Sequence, residues 1–93
     1  MAERIGVIGA GAWGTALAKV LAECGHVVSI WAYEADVTQA INRDHENPRW
    51  LPGVRLPDGV TADTDPLRVA VDKDVLFIAA PSSFFMGVAK RIL

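Results

Sequence analysis

Three glycines, Gly9, Gly11 and Gly14, stand in the hexapeptide Gly9-Ala10-Gly11-Ala12-Trp13-Gly14. This spacing does chemistry in one context, a turn that leaves a β-strand and opens a helix. There the first glycine permits the tight turn. The second lets the backbone approach a bound group, and the third lets the helix pack closely on the strand. The amides at the helix start then face outward, where the helix dipole favours an anion. The implied chemistry is the holding of a pyrophosphate, and so of a dinucleotide. Another nucleotide cofactor, such as a methyl donor, and a purely structural turn are the alternatives.

The flanking residues supply that context. Arg4–Ile8 is a short β-rich run ahead of the glycines. After them Ala16, Leu17, Val20 and Leu21 recur at helical spacing, and Gly25 is a natural left-handed stop. Val27–Trp31 is again strand-like, with β-branched and aromatic residues. A short helix is expected over 35–43, with Val37, Ala40 and Ile41 on one side. The stretch 44–59 carries prolines at 48, 52 and 57 and glycines at 53 and 59, which predicts an ordered but irregular excursion. Residues 60–62 form a third strand. Asp65 and Pro66 open a brief helix as N-cap and first helical residue. The apolar run 75–79 reads as a strand buried on both faces, ended by Pro81, with Ser82 or Ser83 capping a last helix to Leu93.

Strands alternate with helices throughout. The fold class expected is α/β, a Rossmann-type doubly wound parallel sheet truncated to about four strands in the order 3-2-1-4, with helices on both faces. Residues 1–93 are expected to be the N-terminal part of a dinucleotide-binding domain, the remainder and a helical C-terminal substrate domain lying outside the chain. The 93 residues are 52% hydrophobic, which favours a packed core over disorder. Nine basic and eleven acidic residues are scattered, with no basic run to track nucleic acid or an anionic membrane. No apolar run reaches the roughly 20 residues of a spanning helix, and no leader pattern is present, so the expected location is cytoplasmic. One cysteine, Cys24, excludes an intrachain disulfide and is expected as a packing residue. Two histidines so far from it and from each other suggest no metal site. His45 and Asn47 are read as fixing loop backbone rather than as catalytic groups.

The exit of the second strand chooses between dinucleotides. An acid there holds the ribose hydroxyls of NAD, while a nearby arginine favours the 2′-phosphate of NADP. The residues are Trp31-Ala32-Tyr33-Glu34, and Glu34 lies 20 positions after Gly14. Glu34 is a ribose ligand, an ordinary exposed residue or the N-cap of the next helix. Tyr33 is suited to the adenine face. No arginine follows the strand before Arg43, which leans toward NAD.

Four stretches together resemble a known family. They are the glycine loop continued through Thr15-Ala16-Leu17-Ala18, the run Ile41-Asn42-x-x-His45-x-Asn47-x-x-Trp50-Leu51-Pro52-Gly53, Leu56-Pro57, and Ala80-Pro81-Ser82. The resemblance is to the NAD(P)-dependent glycerol-3-phosphate dehydrogenases and covers the whole chain. The 41–53 run is its specific part, and Trp50 replaces the usual tyrosine or phenylalanine. The resemblance implies reversible hydride transfer between NAD(P)H and dihydroxyacetone phosphate, giving sn-glycerol 3-phosphate for glycerophospholipid synthesis. It implies cofactor contacts at the loop, Ala12 and Trp13 included, at Tyr33, and at Phe84 after Pro81. Bacterial members often prefer NADPH. The substrate-binding lysines of the family lie beyond Leu93, so the chain alone is expected to bind cofactor without turnover, with no catalytic residue of its own. The phosphorylated triose would be met through the missing domain, and a homodimer stays open. A β-hydroxyacid or ketopantoate-type dehydrogenase and a non-catalytic nucleotide-binding module are the other readings.

Overall fold

The computed structural model of the chain describes residues 2–79. The sites at Pro81 and Phe84, and the expected last helix, lie outside the described residues. β1 (Arg4–Ile8) leads through the glycine turn into α1 (Ala12–Glu23), and β2 (Val27–Trp31) follows. Gly25 makes the turn between them at φ 94°, the left-handed conformation that glycine adopts without a steric penalty. α2 (Ala35–Asp44) comes next, then β3 (Glu46–Asn47), β4 (Leu51–Arg55), β5 (Val60–Asp63), α3 (Pro66–Ala70) and β6 (Val75–Ile78). Asp65 caps α3 as its sequence announces, its carboxylate accepting from the Leu67 amide at 3.0 Å.

β5, β2, β1 and β6 form one parallel sheet in that order. Numbered among themselves they run 3-2-1-4, the order expected. The chain steps outward from β1 through β2 to β5, then crosses back to pair β6 with the free side of β1. The reversal places a crevice beyond the carboxyl ends of β1 and β6, where open α/β sheets bind ligands.

Side chains alternate across the sheet and build two cores. Ile5 and Val7 of β1 and Val28 and Ile30 of β2 join Ala18 of α1 and Val37 and Ile41 of α2. On the opposite face Ile8 and Trp31 meet Val69 of α3. Helices therefore cover both faces, and Trp31 is a core residue, its indole donating to the Thr64 carbonyl at 2.8 Å.

Four expectations need correction. The 44–59 excursion is not wholly irregular, because β3 and β4 pair antiparallel as a separate two-stranded ladder. A two-strand ladder with a register shift tolerates Pro52 and Gly53, which an interior strand would not. The α1 periodicity is helical, but the sheet side of the helix is lined by Gly14, Thr15 and Ala18. The helix lies too near the sheet for larger groups at these positions. Ala16, Leu17 and Val20 instead line a shallow outer groove with Trp13. Cys24 is exposed at the end of α1 and packs no core. Finally, β6 is not buried on both faces: Leu76, Phe77 and Ile78 are 38%, 36% and 39% exposed. Among the described residues β6 pairs with β1 alone, so this apolar strand lies at the edge of the described sheet.

Candidate functional site

The glycine loop leaves the carboxyl end of β1, flanked by the ends of β2 and β6. Two backbone bonds tie it there: the Gly9 amide donates to the Trp31 carbonyl at 3.2 Å, and the Ala79 amide to the Ile8 carbonyl at 2.8 Å. Gly9 turns the chain at φ 123°, which a side chain would oppose. Gly11 is the N-cap of α1 in extended conformation and provides no side-chain cap. The first-turn amides of α1 have no acceptor within the helix. A Cβ placed on Gly11 meets nothing within 4 Å, so the backbone at the helix start is open to approach on that side. At Gly14 the opposite holds, with a Cβ landing 1.9 Å from the Gly9 carbonyl oxygen. The three glycines thus have separate duties, a turn, an open approach and a close contact. This arrangement fits an anion such as a pyrophosphate held by backbone.

A residue remote in sequence holds the loop in this shape. Asn47 of β3 is fully buried. Its Nδ2 donates to the Ala10 carbonyl at 2.9 Å and to Thr15 Oγ1 at 2.8 Å. The Thr15 hydroxyl itself donates to the Ala10 carbonyl at 3.3 Å. Oδ1 of Asn47 accepts from the Trp50 amide at 3.3 Å. The Ala10 carbonyl is therefore drawn inward by two donors. No peptide in the described chain is cis, and a planar trans unit sets its N–H opposite its C=O. The Gly11 amide consequently faces away from Asn47, toward the open side. The sequence places Asn47 among residues that fix loop backbone, and the structure extends that to the glycine loop. The contact spans 37 residues, and no local pattern marks it.

His45 also behaves structurally. It closes α2 at φ 55°, donates its amide to the Ile41 carbonyl at 3.2 Å and accepts from the Leu56 amide at 2.7 Å. Its imidazole Nε2 lies 3.6 Å from the exposed Asp58 carboxylate.

The exit of β2 carries the other described candidates. Tyr33 is exposed and stands edge-on to Trp31, with ring centroids 6.3 Å apart. Glu34 occupies the N-cap position of α2, yet its side chain does not cap. Its Oε2 instead accepts from Arg49 Nη1 at 3.2 Å and from Trp50 Nε1 at 3.3 Å. Trp13, on the first turn of α1, is 66% exposed. The apolar groove it shares with Ala16, Leu17 and Val20 offers nothing to a phosphate and is distinct from the cradle above the loop.

This geometry joins the glycine loop and the 41–53 run into one unit, and both lie within the residues that a family model matches. The model of the NAD-dependent glycerol-3-phosphate dehydrogenase N-terminus matches residues 4–93. The chain belongs to that family. It is 49% identical over 92 residues to the glycerol-3-phosphate dehydrogenase [NAD(P)+] of Halorhodospira halophila, covering 99% of this chain and 28% of that protein. Among solved structures, the glycerol-3-phosphate dehydrogenase of Coxiella burnetii superposes with a TM-score of 0.89 at 35% identity, covering 98% of this chain and 28% of that one. The enzyme of Saccharomyces cerevisiae gives 0.88 at 31%, covering 99% and 30%. The chain therefore spans little more than a quarter of the length of these relatives. The dinucleotide of the family is NAD or NADP.

The Asn47 contact leads to a first prediction. Asn47→Ala leaves the Ala10 carbonyl with one donor instead of two. It is expected to lower folding stability by about 1–3 kcal/mol and cofactor affinity by about tenfold, since an unpinned loop must be ordered on binding. Urea unfolding and NADH titration read the two effects. Wild-type stability together with wild-type affinity would remove Asn47 from this role.

Proposed function

We propose that this chain holds NAD or NADP for a glycerol-3-phosphate dehydrogenase, which reduces dihydroxyacetone phosphate reversibly to sn-glycerol 3-phosphate. Residues 9–14, that is Gly9, Ala10, Gly11, Ala12, Trp13 and Gly14, form the pyrophosphate cradle. Tyr33 serves the adenine and Glu34 the adenosine ribose, and Pro81 and Phe84 supply further cofactor contacts. The bound dinucleotide supplies or accepts the hydride. The described residues bind and orient. Asn47 and Thr15 hold the Ala10 carbonyl inward, the first-turn amides of α1 face the phosphates, and the close seat of Gly14 on Gly9 sets the helix against the strand. None of the chain's residues is assigned to proton transfer. The triose phosphate belongs to the part of the relatives that this chain does not span.

One observation carries the reading. The buried Asn47 amide locks the run most characteristic of the family onto the loop that would hold the cofactor. Among the described residues no helix is long and apolar enough to cross a membrane. A cytoplasmic enzyme, working alone or as a homodimer and supplying glycerophospholipid synthesis, completes the proposal. The test is oxidation of NADH or NADPH, followed at 340 nm, by the protein as encoded. Oxidation that depends on dihydroxyacetone phosphate supports it. Oxidation with ketopantoate or a β-keto acid instead, or with none of these substrates, would overturn it.

A further inference from the structure

The β2 exit holds an arginine that linear reading does not place there. Arg49 comes from the turn between β3 and β4, 15 residues beyond Glu34. Its Nη1 lies 3.2 Å from Glu34 Oε2 and 3.9 Å from Asp36 Oδ1. Among the described residues it is the only cationic side chain within 4.0 Å of the Glu34 carboxylate. Trp50, its neighbour in the same turn, donates to that same oxygen. The Glu34 side chain is thereby turned away from the α2 N-terminus and held at the carboxyl end of β2, where the acid of a dinucleotide site meets the adenosine ribose.

We infer that Arg49 is the residue that sets discrimination between NAD and NADP in this chain, acting against Glu34. The inference rests on the dinucleotide-binding reading above. NAD presents a 2′-hydroxyl, which donates to a carboxylate. NADP presents a 2′-phosphate, which a carboxylate repels. Anything that reaches Glu34 at this position also comes within reach of the guanidinium bonded to it. For NAD, Arg49 stays on Glu34 and Asp36 and fixes the acceptor. For NADP, the planar guanidinium can turn its donors to the phosphate, the anion it pairs with in two-point fashion. Its side chain is half exposed, so it has the freedom to exchange partners. Glu34 and Asp36 together outnumber the one arginine, which makes the balance sensitive to either member.

The experiment is the ratio of dissociation constants, Kd(NADPH)/Kd(NADH), measured by nucleotide fluorescence on the protein as encoded. Arg49→Gln is expected to raise the ratio about tenfold or more, and Glu34→Gln to lower it about tenfold, each corresponding to one strong charge-assisted contact. Arg49→Lys keeps the charge but loses the two-point contact, so its ratio is expected to fall between those of wild type and Arg49→Gln. Melting of the cofactor-free variants serves as the control, because Arg49 is a surface residue whose removal should cost little stability. A merely structural role would weaken both nucleotides together and leave the ratio unmoved. A ratio that changes less than about twofold in both Gln variants, or that falls in Arg49→Gln, overturns the inference while leaving the dinucleotide site standing. Wild-type protein that binds neither nucleotide overturns both.

Discussion

Gly14→Ala lowers the melting temperature by roughly 10 °C or more, although alanine is the better helix former. Two effects of opposite sign meet at this position. Helix propensity favours alanine over glycine by about 1 kcal/mol. Against it stands a Cβ built 1.9 Å from the Gly9 carbonyl oxygen, with the Gly9 carbonyl carbon at 3.0 Å and the Ala79 Cβ at 3.3 Å. The nearest of these groups is backbone, so no side-chain rotation relieves the contact. The helix must lift from the strand, and α1 then loses the seat of Thr15 and Ala18 on the sheet. Overpacking of this severity costs about 3 kcal/mol, which outweighs the propensity gain. Differential scanning calorimetry measures it. A melting temperature equal to or above wild type would mean that α1 does not approach β1 as described.

Gly11→Val has the complementary outcome, lost binding on an intact fold. Gly11 has φ −71° and ψ −173°, extended backbone that valine adopts without strain, and nothing stands within 4 Å of its Cβ. Valine is a poorer N-cap than glycine, so the variant should melt within about 5 °C of wild type. Its isopropyl group would fill space beside the helix start, where the second glycine of such a loop lets a pyrophosphate approach. A pyrophosphate kept from the first-turn amides forgoes at least two charge-assisted hydrogen bonds, each worth about 1.5–3 kcal/mol. NADH affinity should therefore fall at least about a hundredfold. Calorimetric titration reads it, and unchanged NADH affinity would deny the loop its role. The two glycines, three residues apart, thus separate the stability of the turn from its use.

The legible parts of this molecule are those where one local rule decides. The glycine spacing, the left-handed stop at Gly25, the Asp65-Pro66 helix start and the parallel order of the four strands all follow from short-range pattern and chain connectivity. What escaped is set at long range. The β3–β4 pair is built on Pro52 and Gly53, residues that argue against strand in any local window, and it stands because among the described residues it joins no larger sheet. Val20 and Leu17 have core-like types at core-like spacing, yet they line an outer groove, because closeness to the sheet reserves the inner face for Gly14, Thr15 and Ala18. β6 has the apolar composition of an interior strand, yet among the described residues it lies at the sheet edge with Leu76, Phe77 and Ile78 exposed, because burial is set by neighbours and not by composition.

The site divides in the same way. The loop was visible as glycines, but the reason its carbonyl faces inward was not, since Asn47 reaches Ala10 across 37 residues. Glu34 was visible as an acid at the right distance from Gly14. Its bond to Arg49 was not, and that bond removes the simplest ground for expecting NAD, the lack of an arginine near the strand exit. Folding back the 41–53 run therefore does two things at once: it pins the glycine loop through Asn47 and brings a cation to the exit of β2 through Arg49.

The proposed function has backbone amides of the glycine loop receive the dinucleotide. It is tested most directly by following the amide resonances of Gly11, Ala12, Trp13 and Gly14 in a 15N-labelled protein titrated with NADH. These four are expected to shift most and saturate together, while the amides of Leu17 and Val20 along the outer groove of α1 stay near their starting positions. Saturable binding that moves the groove resonances and leaves Gly11 and Gly14 in place would contradict it.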